Sequence, residues 1–283
     1  MKKFNANISV TPDNLVIDEV RKWSLEKFRL VGNYCNIFTN GMKYKWNQLV
    51  YIDLFAGSGY VKIKETGEFY LNSAIVAMSI HTPFTKYILC EQDEERCNAL
   101  TTRIKRDFSH LNCTVIRGDS NLNVQSILSE IPRYSKSNKV LSFCFVDPYN
   151  LNFSFSTINE LGKSIMDFLI LQALHMDGNR NVEKYLHDEN TRIADYLGLP
   201  EWREQFENNG IVNKKDIVKF LAYSYQSQME KLGYKSEMNM HQIRSNDKNL
   251  PLYYLAFYSK HDKGHKFFQE VEKRVNSQLS LEL

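Results

Sequence analysis

Four acids stand at or just beyond the C-terminal ends of apolar runs: Asp53, Glu91, Asp119 and Asp147. Asp53 opens the stretch Asp53-Leu54-Phe55-Ala56-Gly57-Ser58-Gly59. Gly57 and Gly59 lack the Cβ atoms that would keep a nucleoside off the backbone where a strand turns into a helix, although two glycines also make an ordinary tight turn. Glu91, with Gln92 beside it, ends a second run, where nucleoside-binding α/β folds use an acid to accept both ribose hydroxyls. Its separation from Gly59 exceeds the ~20 residues usual for such a pair, which an inserted loop over residues 62–71 explains. Asp93 and the glutamates after it suit a helix start. Asp119 and Ser120 follow a third run; the carboxylate can accept from an amino group or cap the helix behind it. Asp147-Pro148-Tyr149 puts a carboxylate able to orient an amine next to a ring able to stack a flat ligand, a contact worth ~1–3 kcal/mol per base. The plainer reading of that tripeptide is a strand-ending turn with a buried tyrosine.

Such acids need strand ends to hold them. Residues 49–55, 87–90, 113–116, 140–146 and 167–171 are short apolar runs, separated by helical patterns over 73–81, 94–108 and 122–131. That alternation marks a parallel sheet covered on both faces, hence an α/β fold. Residues 181–187, 191–197, 201–207 and 214–232 read as helices, followed by strand-like runs at 235–244 and 252–260 and a helix at 265–276. The division suggested is a first unit over residues 1–178, with a helical lead-in, and a second over 179–283. The terminal hairpin either completes the sheet or joins the helices as a winged-helix-like module with residues 245–251 as its wing.

Composition narrows the class. The 36 basic and 33 acidic residues leave a net charge of +3, too mild to establish nucleic-acid binding. Lys260, Lys263 and Lys266, with His261 and His265, suit a solvated loop or, for a nucleic-acid ligand, contacts to phosphate. Histidines 261 and 265 with Asp262 lack the second ligand pair that a metal site needs, so no metal is expected. The five cysteines include no Cys-x-x-Cys pair and read as small reduced core residues. With no apolar run of ~20 residues and no signal-peptide pattern, the expected location is the cytoplasm, without a membrane partner.

The stretch from Asp53 to Gly59 resembles motif I of S-adenosylmethionine-dependent methyltransferases. The resemblance implies a class I, Rossmann-like sheet, mostly parallel with a C-terminal antiparallel hairpin, and S-adenosylmethionine as cofactor. It makes Asp53, Phe55, Ala56, Gly57, Ser58, Gly59, Glu91, Gln92, Asp119 and Ser120 the cofactor-binding set. Asp147-Pro148-Tyr149 is similar to the Asp-Pro-Pro-Tyr of adenine amino-methyltransferases, and closer to the Asp-Pro-Phe/Tyr of tRNA guanosine-N2 dimethyltransferases. Asn150 stands where the latter have glycine. Cytosine-C5 enzymes are excluded because no Pro-Cys pair occurs. Trp23-x-x-x-Lys27, Tyr34, residues 51–59, Gly118-Asp119, residues 143–149 and Asp167-Phe168-Leu169-Ile170 together look like the three-Cys-motif partner (TcmP) proteins, bacterial methyltransferase-like proteins encoded beside a protein with a three-cysteine motif. The TcmP resemblance implies the fold and the cofactor; the similarity of Asp147-Pro148-Tyr149 to amino-methyltransferase motifs makes N-methylation of a nucleic-acid base the function expected, with Asp147, Pro148 and Tyr149 catalytic. The alternative is a non-catalytic methyltransferase-fold partner that binds nucleic acid or a nucleoside. A small-molecule methyltransferase is the third reading.

Overall fold

The structure is a computed structural model and describes residues 4–187, 189–208 and 216–279. Two sheets organise it. A small one holds β1 (Asp18–Val20), β3 (Tyr60–Ile63) and β4 (Phe69–Leu71). The large one holds β2 (Gln48–Asp53), β5 (Lys86–Glu91), β6 (Cys113–Arg117), β7 (Val140–Val146), β8 (Met166–Gln172), β9 (Asn239–Arg244) and β10 (Pro251–Tyr258). Its strand order is β6-β5-β2-β7-β8-β10-β9. The first five strands pair in parallel, and β10 runs antiparallel to both β8 and β9. This is the mostly parallel α/β sheet with a C-terminal antiparallel hairpin implied by the sequence.

The apolar runs become strands because both their faces are covered. Every residue of β7 and β8 is buried, as parallel strands between two helix layers require. On one face α1 (Ser24–Met42) packs against α2 (Ser73–Met78) and α10 (Asp262–Leu279), while α3 (Glu94–Asp107) lies over β5 and β6. On the other, α4 (Val124–Glu130) meets α5 (Phe155–Leu161), which meets α7 (Arg192–Leu197), which in turn meets α9 (Ile217–Lys231). The helices α6 (Val182–Leu186) and α8 (Trp202–Asn208) lie in the same segment. An aromatic cluster ties the first layer to the sheet: Tyr34 of α1 lies 4.6 Å from Phe143 and 4.9 Å from Phe257, and Phe257 stacks on Phe268 of α10 at 4.8 Å. Buried aromatic pairs of this kind add ~0.5–1.5 kcal/mol each beyond their area.

Local expectations change in three places. The glycines lead not into a helix but into the β3–β4 hairpin, so the loop expected over residues 62–71 is the end of β3, a turn and β4, and α2 follows only at Ser73. Gly67, at φ +74°, closes that hairpin in a conformation that favours glycine. Second, β10 pairs with β8 from Tyr254 opposite Gln172 to Tyr258 opposite Phe168. The hairpin therefore continues the main sheet, and strands from both sides of residue 178 share it. The run from Leu255 to Tyr258 is buried at every position, as suits an interior strand covered on both faces. Third, a π-helical turn (Leu174–Asn179) follows β8, with no counterpart in the periodicity. The first residues of the helix expected over 214–232 lie outside the described residues.

The chain moves to one side of β2 with β5 and β6, then to the other with β7 and β8. Ligands bind at such a reversal, beyond the carboxyl ends of the strands. Asp53, Glu91 and Asp147 all fall at that edge, and Asp119 follows the end of β6.

Candidate functional site

A cavity of about 1180 Å³ opens at this edge, above the ~300–1,000 Å³ of ordinary ligand pockets and roomy enough for two ligands side by side. One half is built on the glycine loop. Gly57 and Gly59 have φ of +61° and +97°, a region that side chains with a Cβ rarely enter. A Cβ on Gly57 would lie 2.9 Å from Asp18 Oδ2 and 3.0 Å from Asn72 Nδ2. The loop is held by backbone bonds to three surrounding elements. Gly57 N donates to Glu91 Oε2 (2.8 Å), Ser58 N to Asp18 Oδ2 (2.8 Å), and Asn72 Nδ2 to the Ala56 carbonyl (2.6 Å).

The cofactor set inferred from the sequence divides by depth. Phe55, Gly57, Glu91, Gln92, Asp119 and Ser120 line the cavity. Asp53 lies beneath the loop, with no exposure, and accepts from Tyr51 Oη (3.0 Å), Ser73 Oγ (2.8 Å) and Phe55 N (3.1 Å). Burial pushes its carboxyl up to about 7 against the lowering effect of those three donors. Asp53 thus locks the loop's first residue to α2. Ala56 and Ser58 are also fully buried, and the Ser58 hydroxyl turns to the Tyr60 carbonyl at 2.9 Å.

Glu91 shapes two chain segments at once: besides Gly57, its Oε1 accepts from Asp93 N at 2.9 Å, just where Asp93 caps α3 by accepting from Arg96 N. Asp119 accepts from Asn121 N at 2.7 Å in a local turn; α4 begins further on, with Asn123 at its cap position. Asn121 in turn accepts from Ser154 N and Thr157 Oγ1, tying the end of β6 to the segment after β7.

The other half of the cavity gathers around Asp147. Lys27 Nζ of α1 donates to both carboxylate oxygens, at 2.8 and 2.6 Å, and only 8% of the lysine side chain and 16% of the aspartate side chain are exposed. The same ammonium group lies 5.2 Å from the centre of the Trp23 ring, a cation–π contact. Trp23 packs against Tyr253 with centroids 5.0 Å apart. Pro148 is buried, whereas Tyr149 is 71% exposed at the rim and not the buried turn residue of the plainer reading; burial of its hydroxyl, with the charges of Asp18, Asp147 and Glu91, pushes its pKa up. Asp177 in the π-helical turn fixes the loop from below, accepting from Leu151 N (2.8 Å), Tyr185 Oη (2.6 Å) and Asn181 Nδ2 (2.6 Å). The same turn brings Met176 and Arg180 to the cavity wall. Single π-helical turns are frequent at functional sites.

Lys260, Lys263 and Lys266 are elsewhere. They follow β10 at the opposite, N-terminal edge of the parallel strands: Lys260 Nζ donates to the Gly162 carbonyl (2.8 Å) ahead of β8, and Lys263 sits next to Lys45, which follows α1. Lys266 is exposed. His261 is exposed, while His265 turns inward to Asn239 and the Ser259 carbonyl, so the two do not converge.

Asp18, Asn72, Arg96, Asp177, Arg180 and Tyr253 escaped the sequence reading. Asn72 carried a usable signal, since an asparagine directly before an apolar helical run is a standard N-cap, and it does accept from Ile75 N. Trp23 and Lys27 entered only through the family resemblance, although their i, i+4 spacing puts both on one helix face.

The sequence matches no family model and no curated protein. In structure the chain is similar to protein LPL1258 from Legionella pneumophila (11% identity, TM-score 0.49, covering 89% of this chain and 91% of that one). It is also similar to the O-methyltransferase from Bacillus cereus in complex with SAH (10% identity, TM-score 0.43, covering 81% and 80%). A third likeness is to Trm1 from Pyrococcus horikoshii with S-adenosyl-L-methionine (11% identity, TM-score 0.41, covering 92% and 61%).

Proposed function

We propose that this chain is an S-adenosylmethionine-dependent methyltransferase that methylates a nitrogen of a nucleic-acid base. The observation that carries the reading is the division of one cavity into two unlike halves. A glycine loop with acids sits at one end, a lysine-held carboxylate sits at the other, and an exposed tyrosine ring stands at the rim between them. The residues fit the cofactor. Gly57 lines the cavity in a conformation, φ +61°, that keeps its backbone open to a ligand, Glu91 can accept ribose hydroxyls with its remaining lone pairs, and Asp119 offers an acceptor for an adenine amino group. When bound, S-adenosylmethionine supplies a methyl group already activated on sulfonium.

What remains for the protein is placement, which can contribute several kcal/mol of the barrier. Asp147, fixed by Lys27 through both oxygens, accepts an N–H of the acceptor amine and so orients its lone pair. Tyr149 stacks the base, and Trp23 with Tyr253 closes the wall behind it. Asp177 keeps residues 147–151 in register with that wall. The TcmP resemblance adds a further element to the proposal, a protein partner bearing the three-cysteine motif.

The test is transfer of tritiated methyl from S-adenosylmethionine to separated DNA and RNA fractions. Asp147→Ala and Tyr149→Ala should each lower transfer by ~10²-fold while cofactor affinity stays within a few-fold. Loss of cofactor binding in both variants would move the acceptor site elsewhere. One observation favours the second reading, a non-catalytic partner: Lys27 already occupies both oxygens of Asp147. Cofactor binding without turnover on any nucleic-acid fraction would select it.

A further inference from the structure

Strand β1 holds a buried carboxylate oxygen that makes no hydrogen bond among the described residues. It is brought over the glycine loop by the segment before it, where Arg103, with no exposure, grips Asp13 through Nε (3.0 Å) and Nη2 (2.6 Å). Arg103 Nη1 also donates to the carbonyls of Val16 (2.9 Å) and Ser58 (2.6 Å), binding segment and loop into one unit. The result sets Asp18, opposite Val61 of β3, at the cavity wall. Only 7% of Asp18 is exposed. Its Oδ2 is satisfied by Ser58 N, but Oδ1 has no hydrogen-bond donor among the described residues. Arg96 Nε lies 2.8 Å from Oδ1, an ion pair without a hydrogen-bonding alignment. The ion pair compensates the charge of Oδ1 but leaves its hydrogen-bonding capacity unused, and a buried polar atom in that state calls for a donor.

The partner's chemistry follows from the neighbours. Asp18, Glu91 and Asp119 make this half of the cavity acidic, and Arg96 sits beside Asp18 as a cation that also lines it. An anion held next to a cation matches a zwitterion, an ammonium group and a carboxylate on one carbon. We propose that Asp18 receives the α-ammonium group of the amino-acid portion of the cofactor, and that Arg96 receives its carboxylate. The inference rests on the reading of the cavity as an S-adenosylmethionine site. It makes the segment before α1 part of the binding site, which motif I by itself does not include.

Calorimetric titration with two probes separates this idea from the reading beneath it. S-Adenosylhomocysteine carries the ammonium and carboxylate groups; 5′-methylthioadenosine keeps the nucleoside and sulfur but lacks both. In Asp18→Asn the side-chain oxygen still accepts from Ser58 N, so the loop keeps its anchor while the charge is lost. The variant should bind S-adenosylhomocysteine ~10- to 100-fold more weakly, the scale of a lost hydrogen bond to a charged group. Its affinity for 5′-methylthioadenosine should stay within twofold of the parent, which also certifies that the variant is folded. Arg96→Gln should show the same selectivity with a smaller loss. Unchanged affinity for S-adenosylhomocysteine, or equal loss of both probes, overturns the role of Asp18 and leaves the cofactor site standing. Failure of the unaltered protein to bind either probe overturns the cofactor site itself and this proposal with it.

Discussion

Replacing Lys27 by methionine removes a charge and leaves most of the side chain's length. The Asp147 side chain, 16% exposed, then faces the cavity with its two strong donor contacts gone. Breaking a fully buried pair from one side costs ~3–5 kcal/mol; the opening of Asp147 onto the cavity lets water replace part of that, so about 2 kcal/mol is expected. In a chain of this size each kcal/mol moves the melting temperature by ~2–4 °C, giving a fall of ~4–8 °C by differential scanning calorimetry. Neutralising the orphan should recover stability. The double variant Lys27→Met, Asp147→Asn is expected to melt above Lys27→Met alone, a positive coupling between residues in contact. Function should separate from folding: affinity for S-adenosylhomocysteine stays within a few-fold, because Lys27 belongs to the acceptor half, while methyl transfer drops ~10²-fold as the orienting carboxylate loses its fixed position. A melting shift below 1 °C together with unaltered transfer would refute the account of this ion pair.

Gly57→Val should abolish cofactor binding by calorimetry. The residue sits at φ +61°, and the added Cβ would press on Asp18 Oδ2 at 2.9 Å and Asn72 Nδ2 at 3.0 Å; a folded variant with unchanged affinity would exclude this loop from the site. His241 links α1, β9 and α10. Burial alone would lower its pKa, but Glu26 (2.6 Å from Nε2) and Glu272 (3.4 Å from Nδ1) outweigh that and push it up to about 9. A histidine raised in the folded state contributes stability that is fully present below its ordinary value near 6.5 and is lost as pH rises through 9. Chemical denaturation at pH 6 and pH 10 should show that loss in the parent protein and much less of it in His241→Gln. Finally, if the lysines beyond β10 contact nucleic acid, changing Lys260, Lys263 and Lys266 to alanine should flatten the log–log salt dependence of binding by roughly two to three units without touching cofactor affinity. An unchanged salt slope would confine nucleic-acid contacts to other surfaces.

Much of this was legible in the sequence because it depends on neighbours along the chain. Apolar runs such as residues 140–146 declare strands buried on both faces, and the acids that end them are placed at the carboxyl edge by chain direction alone. Gly57 and Gly59 mark a turn that tolerates no Cβ, while the exposure of the Tyr149 ring, left open by the sequence, was decided by the fold. Partnerships across the chain were not legible. Lys27 meets Asp147 across 120 positions, Ser58 meets Asp18 across 40, and Asp177 meets Leu151 across 26. Asp53, expected at the cofactor, lies fully buried beneath the loop with Tyr51, Ser73 and Phe55 as its donors, since local sequence shows that an acid ends a strand but not which way the loop above it folds. Asp18 is the converse: a three-residue strand has no periodicity to detect, and it acquires meaning only when Arg103 draws the preceding segment against the glycine loop. Strand directions and turn conformations were set by local sterics and hydrophobic pattern. Which charges became neighbours, and which carboxylate oxygen was left without a donor, was decided by packing.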